Sequence, residues 1–275
     1  MQPYDPLSTL HRGVEWLGSL PGFRSLRQRA FERHFYQHEG SNLYYGKYLD
    51  FAAAQASIPA SVPQGYDHEA AALLYKERTK RVYPSDYPAL YWLQRELGPD
   101  LRRVVDIGGH IGVAFYAYQR FLSFPPGLTW TVQEVPAVVA EGRRFAAEQG
   151  ADPRLRFTTA FEEASGADLL FASGSLQYLP DSLATKVARL AQRPRLLLLN
   201  LLPLHPTRSF YTVQSFGTAV SPYRIDSFQS FVDGLTDLGY QMTDLWQNAE
   251  KSCEIRFEPE LSIQHYHGML FRLAA

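Results

Sequence analysis

The sequence predicts an α/β fold: a doubly wound, mostly parallel sheet with an antiparallel edge, preceded by an N-terminal helical segment. From residue 102 onward, apolar runs and helical patterns alternate at a short period, which is typical of crossovers between parallel strands. Most runs lack polar alternation, as expected for strands covered on both faces. The first run ends in Asp106, Gly108 and Gly109 before a helical pattern begins, and this order is typical of a ligand-binding crossover.

The individual elements are predicted from the same patterns. Strands are expected at 103–107, 129–134, 155–159, 168–172 and 195–201, with helices between them at 113–121, 137–149 and 181–191. The connection from 159 to 168 is too short for a full helix, so one crossover is degenerate. A helix at 226–238 and strands at 240–246, 253–257 and 266–272 follow, and two of these strands pair antiparallel at an edge.

Residues 1–85 are predicted to form an N-terminal helical cap or lid on a domain that spans 86–275. Helices are expected at 51–57, 66–80 and 89–97, and around a basic segment with Arg24, Arg27, Arg29 and Arg33. These arginines are interpreted as a solvated helix face, with contact to an anionic surface as the alternative. Closure of the cap over a pocket would exclude water.

The composition excludes several classes of protein. The 275 residues carry a net charge of −1, which gives no electrostatic footprint for nucleic acid. The single cysteine, Cys253, allows no internal disulfide and suits a reducing compartment. No signal peptide is predicted, and the longest apolar stretch is far shorter than the roughly 20 residues that cross a bilayer. We therefore expect a cytoplasmic protein without nucleic-acid or membrane partners, and a homodimer stays open.

Polar residues follow the carboxyl ends of the predicted strands, where open α/β sheets bind ligands. Asp106 and the glycine turn follow the first strand, and Glu134 ends the second. A carboxylate such as Glu134 can accept two hydrogen bonds from the vicinal hydroxyls of a ribose. The third strand is followed by Phe161 and Glu162, an apolar face beside a hydrogen-bond acceptor, which suits an adenine. The fourth is followed by the small residue Ser175 and the amide Gln177, which leave room for a ligand.

The glycine turn lacks the spacing of a dinucleotide-binding fingerprint. The pattern G-x-G-x-x-G needs glycine where this sequence has Ile107 or His110. The spacing therefore argues against NAD or FAD. An acid just before the turn is unfavourable for a pyrophosphate and favourable for a ligand with a cationic amino-acid portion.

Together, these motifs resemble class I S-adenosylmethionine-dependent methyltransferases, which implies a Rossmann-like sheet. The resemblance lies in Asp106-x-Gly108-Gly109-x-x-Gly112, in Glu134 and in the segment 175–179. Motifs at 199–204, 210–214, 222–224 and 238–240 are similar to a bacterial methyltransferase subgroup associated with surface-polysaccharide or other small-molecule biosynthesis. Motifs at 44–48 and 65–67 extend the resemblance to about residue 40.

The resemblance implies a site for S-adenosylmethionine. It assigns the methionine part to Asp106 and to Gly108, Gly109, His110 and Gly112 of the loop, and the ribose to Glu134. The adenine would lie between Phe161 and Glu162, and Ser175 and Gln177 would line the wall near the sulfonium. His110 departs from the wider superfamily, in which this position is often glycine. The spacing from Asp106 to Glu134 is also longer than usual.

The resemblance further implies in-line methyl transfer to a small-molecule or sugar acceptor, as O-methylation with N-methylation as an option. A hydroxyl acceptor is helped by a general base, and the candidate is His205, with a loop histidine of no catalytic role as the alternative. The acceptor would meet Tyr211, Gln214, Tyr223 and Arg224. Arg224 either clamps an anionic acceptor or pairs with a carboxylate at the loop base.

A protein that binds the cofactor without catalysis, in a regulatory or scaffolding role, is the alternative function. The same binding residues would be retained in both, and turnover with an acceptor separates them. No cluster of histidine, cysteine and acid has metal-ligand spacing, so no metal is expected.

Overall fold

The computed structural model of the protein describes residues 21–37 and 41–274. The start of the chain, where no signal peptide is predicted, lies outside them. The strands are β1 Ser41–Tyr48, β2 Arg103–Ile107, β3 Thr129–Gln133, β4 Leu155–Thr158, β5 Leu169–Ser173, β6 Leu196–Leu202, β7 Leu204–His205, β8 Phe210–Phe216, β9 Val220–Ser227, β10 Tyr240–Asn248 and β11 Tyr266–Leu273. The α-helices are α1 Pro21–Tyr36, α2 Phe51–Ala56, α3 Glu69–Ala72, α4 Tyr87–Glu96, α5 Val113–Tyr118, α6 Pro136–Glu148, α7 Leu183–Ala188 and α8 Phe228–Thr236. Short 3₁₀ helices span Lys76–Lys80, Pro84–Asp86, Phe161–Ala164, Leu176–Tyr178 and Pro259–Leu261.

The central sheet has seven strands in the order β10-β11-β6-β5-β2-β3-β4. Strands β4, β3, β2, β5 and β6 run parallel, while β11 pairs antiparallel with β6 and with β10. The predicted doubly wound, mostly parallel sheet with antiparallel pairing at its edge is therefore confirmed. The degenerate crossover is also confirmed, because only the 3₁₀ helix Phe161–Ala164 lies between β4 and β5.

Apolar side chains cover both faces of this sheet. Every residue of β6 is buried, and all but Asn200 are leucine. On one face Trp130 packs with Phe171 and with Phe115 of α5. Burying each large apolar side chain stabilises the fold by about 1.5–3 kcal/mol. This packing fixes the carboxyl ends of β2, β3 and β5, which carry the candidate site.

A second sheet combines β1 with the three strands that follow β6, in the order β1-β8-β9-β7. Its strand β8 pairs antiparallel with β1 and with β9, so that Gln214 faces Tyr44 on one side and Ser221 on the other. The expectation that residues 1–85 are mainly helical is therefore wrong at Ser41–Tyr48. The aromatic side chains there pack against β8, a partner distant in sequence that overrides the local turn signals.

Two further predictions near this sheet are wrong. Residues 253–257 form no strand, and only isolated bridges join Cys253 to Ile263 and Ile255 to Tyr44. The helix expected at 66–80 is replaced by α3 and the 3₁₀ helix Lys76–Lys80. The helices expected at 51–57 and 89–97 are confirmed as α2 and α4, with shifted ends. The division of the chain at residue 85 stays a prediction.

Contacts between these parts position the site. The 3₁₀ helix Lys76–Lys80 packs against α5, and β9 packs against the 3₁₀ helix Leu176–Tyr178. Both α5 and Leu176–Tyr178 follow carboxyl ends of central strands. The 3₁₀ helix Lys76–Lys80 and the second sheet therefore lie over this edge of the central sheet.

Candidate functional site

The turn after β2 accepts only glycine at two positions. Gly108 has a φ of +67°, and a Cβ there would lie 2.2 Å from the Cβ of Ser175. A Cβ at Gly109 would lie 2.3 Å from Oδ2 of Asp106. Because atoms cannot approach this closely, the chain takes this path only without side chains at both positions.

Asp106 lies near the end of β2 and is only 1% exposed. Its Oδ2 accepts a hydrogen bond of 3.1 Å from Nε1 of Trp130. Burial raises the pKa of Asp106 to about 7; the hydrogen bond from Trp130 opposes this rise, and the charge of Glu134 adds to it. No cation of the described chain contributes to this balance, so the carboxylate is held without a positive partner.

Glu134 follows β3, the strand that pairs in parallel with β2. Its Oε1 accepts a hydrogen bond of 3.1 Å from the amide of His110, and its Oε2 accepts one of 3.0 Å from the amide of Val135. Burial raises the pKa of Glu134 to about 7 against the effect of these two amides. The amides fix the orientation of the carboxylate and leave each oxygen a lone pair for a ligand.

Asp106 and Glu134 line a cavity of about 730 Å³, within the range of about 300–1,000 Å³ that is usual for small-molecule sites. The cavity lies at the carboxyl edge of the central sheet, and several predicted site residues share its lining: Gly108, Gly109, His110, Ser175, Gln177, Gln214 and Tyr223. The structure therefore brings together residues that are far apart in the sequence.

His110 shapes the turn with a left-handed backbone, at a φ of +56°. Its Nε2 lies 3.0 Å from the carbonyl oxygen of Ala71 and must carry the proton to donate to it, while Nδ1 is buried and has no partner in the described part of the chain. Burial lowers the pKa of His110 to about 4, so the ring is neutral at physiological pH. The ring also meets the edge of Tyr75 at 4.9 Å between centroids, which ties the turn to the N-terminal residues.

Gln177 supplies a buried amide to the wall of the cavity. Its Oε1 is buried without a hydrogen-bond partner among the described residues. The neighbouring Ser175 is engaged, because its Oγ donates a hydrogen bond of 2.5 Å to the carbonyl of Ile107. Since buried polar groups are nearly always hydrogen-bonded in native proteins, Gln177 is a candidate ligand contact.

Tyrosines form the opposite wall. Tyr178 donates a hydrogen bond of 2.5 Å to Oε1 of Gln214, whose Nε2 donates one of 3.2 Å to the hydroxyl of Tyr44. The hydroxyl of Tyr266 lies 3.1 Å from that of Tyr44 and 2.8 Å from that of Tyr223. Burial raises the pKa of each of these tyrosines. The wall is therefore a network of hydroxyls that stay protonated at physiological pH.

The predicted adenine contacts lie outside the lining of this cavity. The Phe161 ring is buried in the core beneath α7, 4.5 Å from Nζ of Lys186, and Glu162 is exposed to solvent. Gly112 also lies outside the lining: at a φ of +89° it is the N-cap of α5 and directs the chain into that helix.

His205, the candidate general base, is surrounded by backbone groups that bind its ring. Its ring is buried outside the cavity lining. Nδ1 accepts hydrogen bonds from the amides of Thr207 and Arg208, and Nε2 lies 2.9 Å from the carbonyl of Glu260. Both ring nitrogens are thus occupied by backbone groups, as in the alternative interpretation of a loop histidine.

Two predicted acceptor contacts also lie away from the cavity lining. Tyr211 is half-buried, with its ring edge-on to that of Phe51. Arg224 is buried and pairs with Asp226 at 3.1 Å. Its other nitrogens point to backbone carbonyls in the loop after β5. Arg224 therefore holds that loop in place, which corresponds to the structural alternative and not to the anion clamp.

The sequence did not single out several residues that line the cavity: Tyr44, Tyr66, Arg78, Asp86, Tyr178 and Tyr266. The aromatic run at 44–48 was visible, but its pairing with β8 was not. Residues 66–86 reach the cavity because this stretch folds as short turns over α5 instead of as one long helix.

Residues 21–37 and 41–274 contain no group of three or more histidine, cysteine or acidic side chains placed to hold a metal ion. They also contain no helix with the length and hydropathy needed to span a membrane.

No family model matches the chain. No curated protein matches it either. Among solved structures, it resembles the mitomycin 7-O-methyltransferase MmcR at 20% identity over 73% of this chain and 54% of that one, with a TM-score of 0.43; the chain thus spans about half of that enzyme.

Other solved structures match a larger share of their own length. The 1,6-didemethyltoxoflavin-N1-methyltransferase of Burkholderia thailandensis is 19% identical over 79% of this chain and 95% of its own, with a TM-score of 0.45. The cyclase SpnF is 15% identical over 68% of this chain and 81% of its own, with a TM-score of 0.46.

Proposed function

We propose that this protein is an S-adenosylmethionine-dependent methyltransferase that acts on a small-molecule acceptor. The observation that carries the proposal is the pair Asp106 and Glu134 beside the glycine turn. Each carboxylate has its pKa raised to about 7 by burial, and no cation of the described chain offsets the rise. A ligand with positive charge and vicinal hydroxyls satisfies both groups, and S-adenosylmethionine has an ammonium, a sulfonium and a ribose diol.

The residues of the cavity suit the parts of this cofactor. Asp106 and the turn Gly108–Gly109 would hold the amino-acid part, and Glu134 would accept hydrogen bonds from the ribose. Gln177 offers an amide oxygen that has no hydrogen-bond partner among the described residues. When bound, the cofactor supplies a methyl group that is already activated as an electrophile.

The chain itself then contributes positioning and the exclusion of water. Holding two reactants in the reactive geometry can contribute about 7–11 kcal/mol to the rate. The hydroxyl network of Tyr44, Tyr178 and Tyr266 offers donors and acceptors to a hydroxylated acceptor, and sugars are one such class. O-methylation of a sugar or another small molecule is therefore our more specific proposal.

The ionisable groups of the cavity limit how a proton leaves the acceptor. Of the described histidines, only His110 lines the cavity, and its low pKa of about 4 makes it a weak base. For a hydroxyl acceptor, the remaining carboxylates of the lining that could accept a proton are those of Asp67, Asp86 and Glu250.

A methyl-transfer experiment tests the proposal. The protein is incubated with S-adenosylmethionine that carries a deuterated methyl group and with a mixture of small hydroxylated compounds and amines, including nucleotide sugars. We expect S-adenosylhomocysteine and one compound with the labelled methyl. The variant Asp106→Asn should lose the activity, and Glu162→Gln, which changes an exposed acid outside the cavity lining, should keep it. Cofactor binding without product would favour the non-catalytic alternative, and no binding would refute the proposal.

A further inference from the structure

Arg78 is a cation in the cavity lining that has no acceptor. It lies in the 3₁₀ helix Lys76–Lys80, is half-buried and lines the cavity. Its guanidinium carbon lies 4.7 Å from the ring centre of Tyr83 and 5.6 Å from that of Tyr75. Within residues 21–37 and 41–274 its side chain forms no ion pair and donates no hydrogen bond.

The neighbouring carboxylates are engaged elsewhere. Asp86 accepts a hydrogen bond of 2.9 Å from the amide of Tyr83. Burial raises the pKa of Asp86 and the charge of Arg78 opposes this rise, but the two side chains form no ion pair. Glu77, the preceding residue, pairs with Lys80 at 2.7 Å. Among the described residues, therefore, no carboxylate pairs with the Arg78 guanidinium.

Arg81 provides an internal comparison. It also lines the cavity, and its guanidinium carbon lies 4.7 Å from the centre of the same Tyr83 ring. Unlike Arg78, however, Arg81 is exposed and donates a hydrogen bond of 2.8 Å through Nε to the hydroxyl of Tyr83. Arg78 and Arg81 thus lie against the same Tyr83 ring, but only the guanidinium of Arg81 donates a hydrogen bond to a described residue.

The chemistry of a stacked guanidinium indicates its ligand. Contact with aromatic rings stabilises the cation but uses none of its N–H donors. The remaining donors form a planar fork that matches the two oxygens of a carboxylate or phosphate.

We propose that Arg78 binds a carboxylate or phosphate group of a ligand in this cavity. The inference rests on the proposed function, because that function supplies two sources of such a group: the amino-acid carboxylate of the cofactor, and an anionic group on the acceptor. The Tyr75 ring beside Arg78 also meets the ring of His110 in the glycine turn, and Tyr83, whose ring lies beside Arg78 as well, donates its amide to Asp86. Arg78 therefore lies within reach of both parts of the cavity.

Calorimetric titrations of the whole protein distinguish the two sources. The wild type, Arg78→Met and the matched control Arg81→Met are titrated with S-adenosylhomocysteine and with methylthioadenosine, which is the same nucleoside without the amino-acid part. A third titration adds inorganic phosphate to protein saturated with S-adenosylhomocysteine. Thermal unfolding checks that each variant is folded, and Arg78→Lys, which keeps the charge but loses the fork, replaces Arg78→Met if that variant is unstable.

A carboxylate from the cofactor predicts that Arg78→Met weakens S-adenosylhomocysteine by about tenfold or more and leaves methylthioadenosine within about twofold. An anionic acceptor predicts unchanged binding of both nucleosides and loss of phosphate binding in Arg78→Met but not in Arg81→Met. Either result supports the proposal. Equal behaviour of Arg78→Met and the wild type in all three titrations would overturn it. If the wild type binds neither nucleoside, the proposed function itself fails.

Discussion

Oδ2 of Asp106 occupies the space that a side chain at Gly109 would need, because a Cβ there would lie only 2.3 Å from this oxygen. The acid of β2 thus packs directly against the backbone of the turn that follows it. Since Asp106 is nearly fully buried and held by Trp130, it cannot move aside without breaking that hydrogen bond. The ligand-facing geometry of the turn therefore depends on both residues together.

Substitution Gly109→Ala should damage both the fold and the site. The added methyl group collides with the Asp106 carboxylate, and such overpacking costs about 1–3 kcal/mol of unfolding free energy. Urea denaturation and a titration with S-adenosylhomocysteine measure the two effects. Gly127→Ala is the control, because its Cβ would meet only Nη1 of Arg102, at 3.4 Å. Equal stability and affinity in both variants would contradict the packing described for Asp106.

The free protein should become less stable as the pH rises toward neutrality. Asp106 and Glu134 ionise near pH 4 in an unfolded chain and near pH 7 in the fold. The folded state therefore holds more protons than the unfolded state between these pH values. The contribution of the two protonated acids to the free energy of unfolding is fully present below about pH 4 and is lost as the pH rises through about 7. Other groups also titrate in this range, so the informative comparison is with a variant.

Asp106→Asn isolates the contribution of one carboxylate, because the amide oxygen can still accept the Trp130 hydrogen bond. Relative to the wild type, we expect this variant to gain stability on going from about pH 5 to about pH 8, by an amount on the order of 1 kcal/mol or more. Urea denaturation at both pH values measures the difference. A difference that is the same at both pH values would show that burial does not raise the pKa of Asp106.

Removal of the Tyr178 hydroxyl should destabilise the tyrosine wall. Tyr178→Phe leaves Oε1 of Gln214 without its donor, and an unsatisfied buried acceptor costs about 1–3 kcal/mol. The unfolding free energy should fall by this amount, whereas Tyr91→Phe, at a tyrosine that is 51% exposed, should have little effect. Identical stability of the two variants would mean that the Tyr178 hydroxyl is not part of a closed network.

Loss of Arg224 should lower the stability of the fold, because this side chain binds protein groups and not a ligand. Arg224→Met leaves Asp226 without its buried partner and frees the loop after β5, which costs about 3–5 kcal/mol for a fully buried pair and less where one partner is partly exposed. Thermal unfolding should show a clear loss, and the double variant Arg224→Met with Asp226→Asn should recover part of it. An unchanged unfolding temperature would reopen the interpretation of Arg224 as an anion clamp.

The sequence was informative about the central sheet and much less so about what covers it. Leucine-rich or β-branched runs such as β2 and β6 have one stable solution, a parallel strand buried on both faces, so their positions followed from local pattern. β1 and the stretch 253–257 depend on partners that are distant in the chain, and short aromatic or polar runs do not specify those partners.

The residues of the candidate site likewise fall into those whose position was predictable from local pattern and those whose role depends on distant partners. Asp106, the glycines and Glu134 were predictable because they follow strand ends, where topology fixes their position. His205 and Arg224 have chemically suggestive side chains, but backbone carbonyls, amides and a neighbouring acid already occupy them. Arg78 carried no local signal, because its importance depends on which partners it lacks in the folded protein.

The most direct test of the central claim is a calorimetric titration of S-adenosylhomocysteine into the wild type, Glu134→Gln and the control Glu162→Gln. We predict that the wild type and Glu162→Gln bind alike. Glu134→Gln should bind about tenfold or more weakly with its fold intact, because charge-assisted hydrogen bonds to the ribose are lost. No binding by the wild type, or equal affinity in Glu134→Gln, would contradict the assignment of this cavity to an adenosyl cofactor.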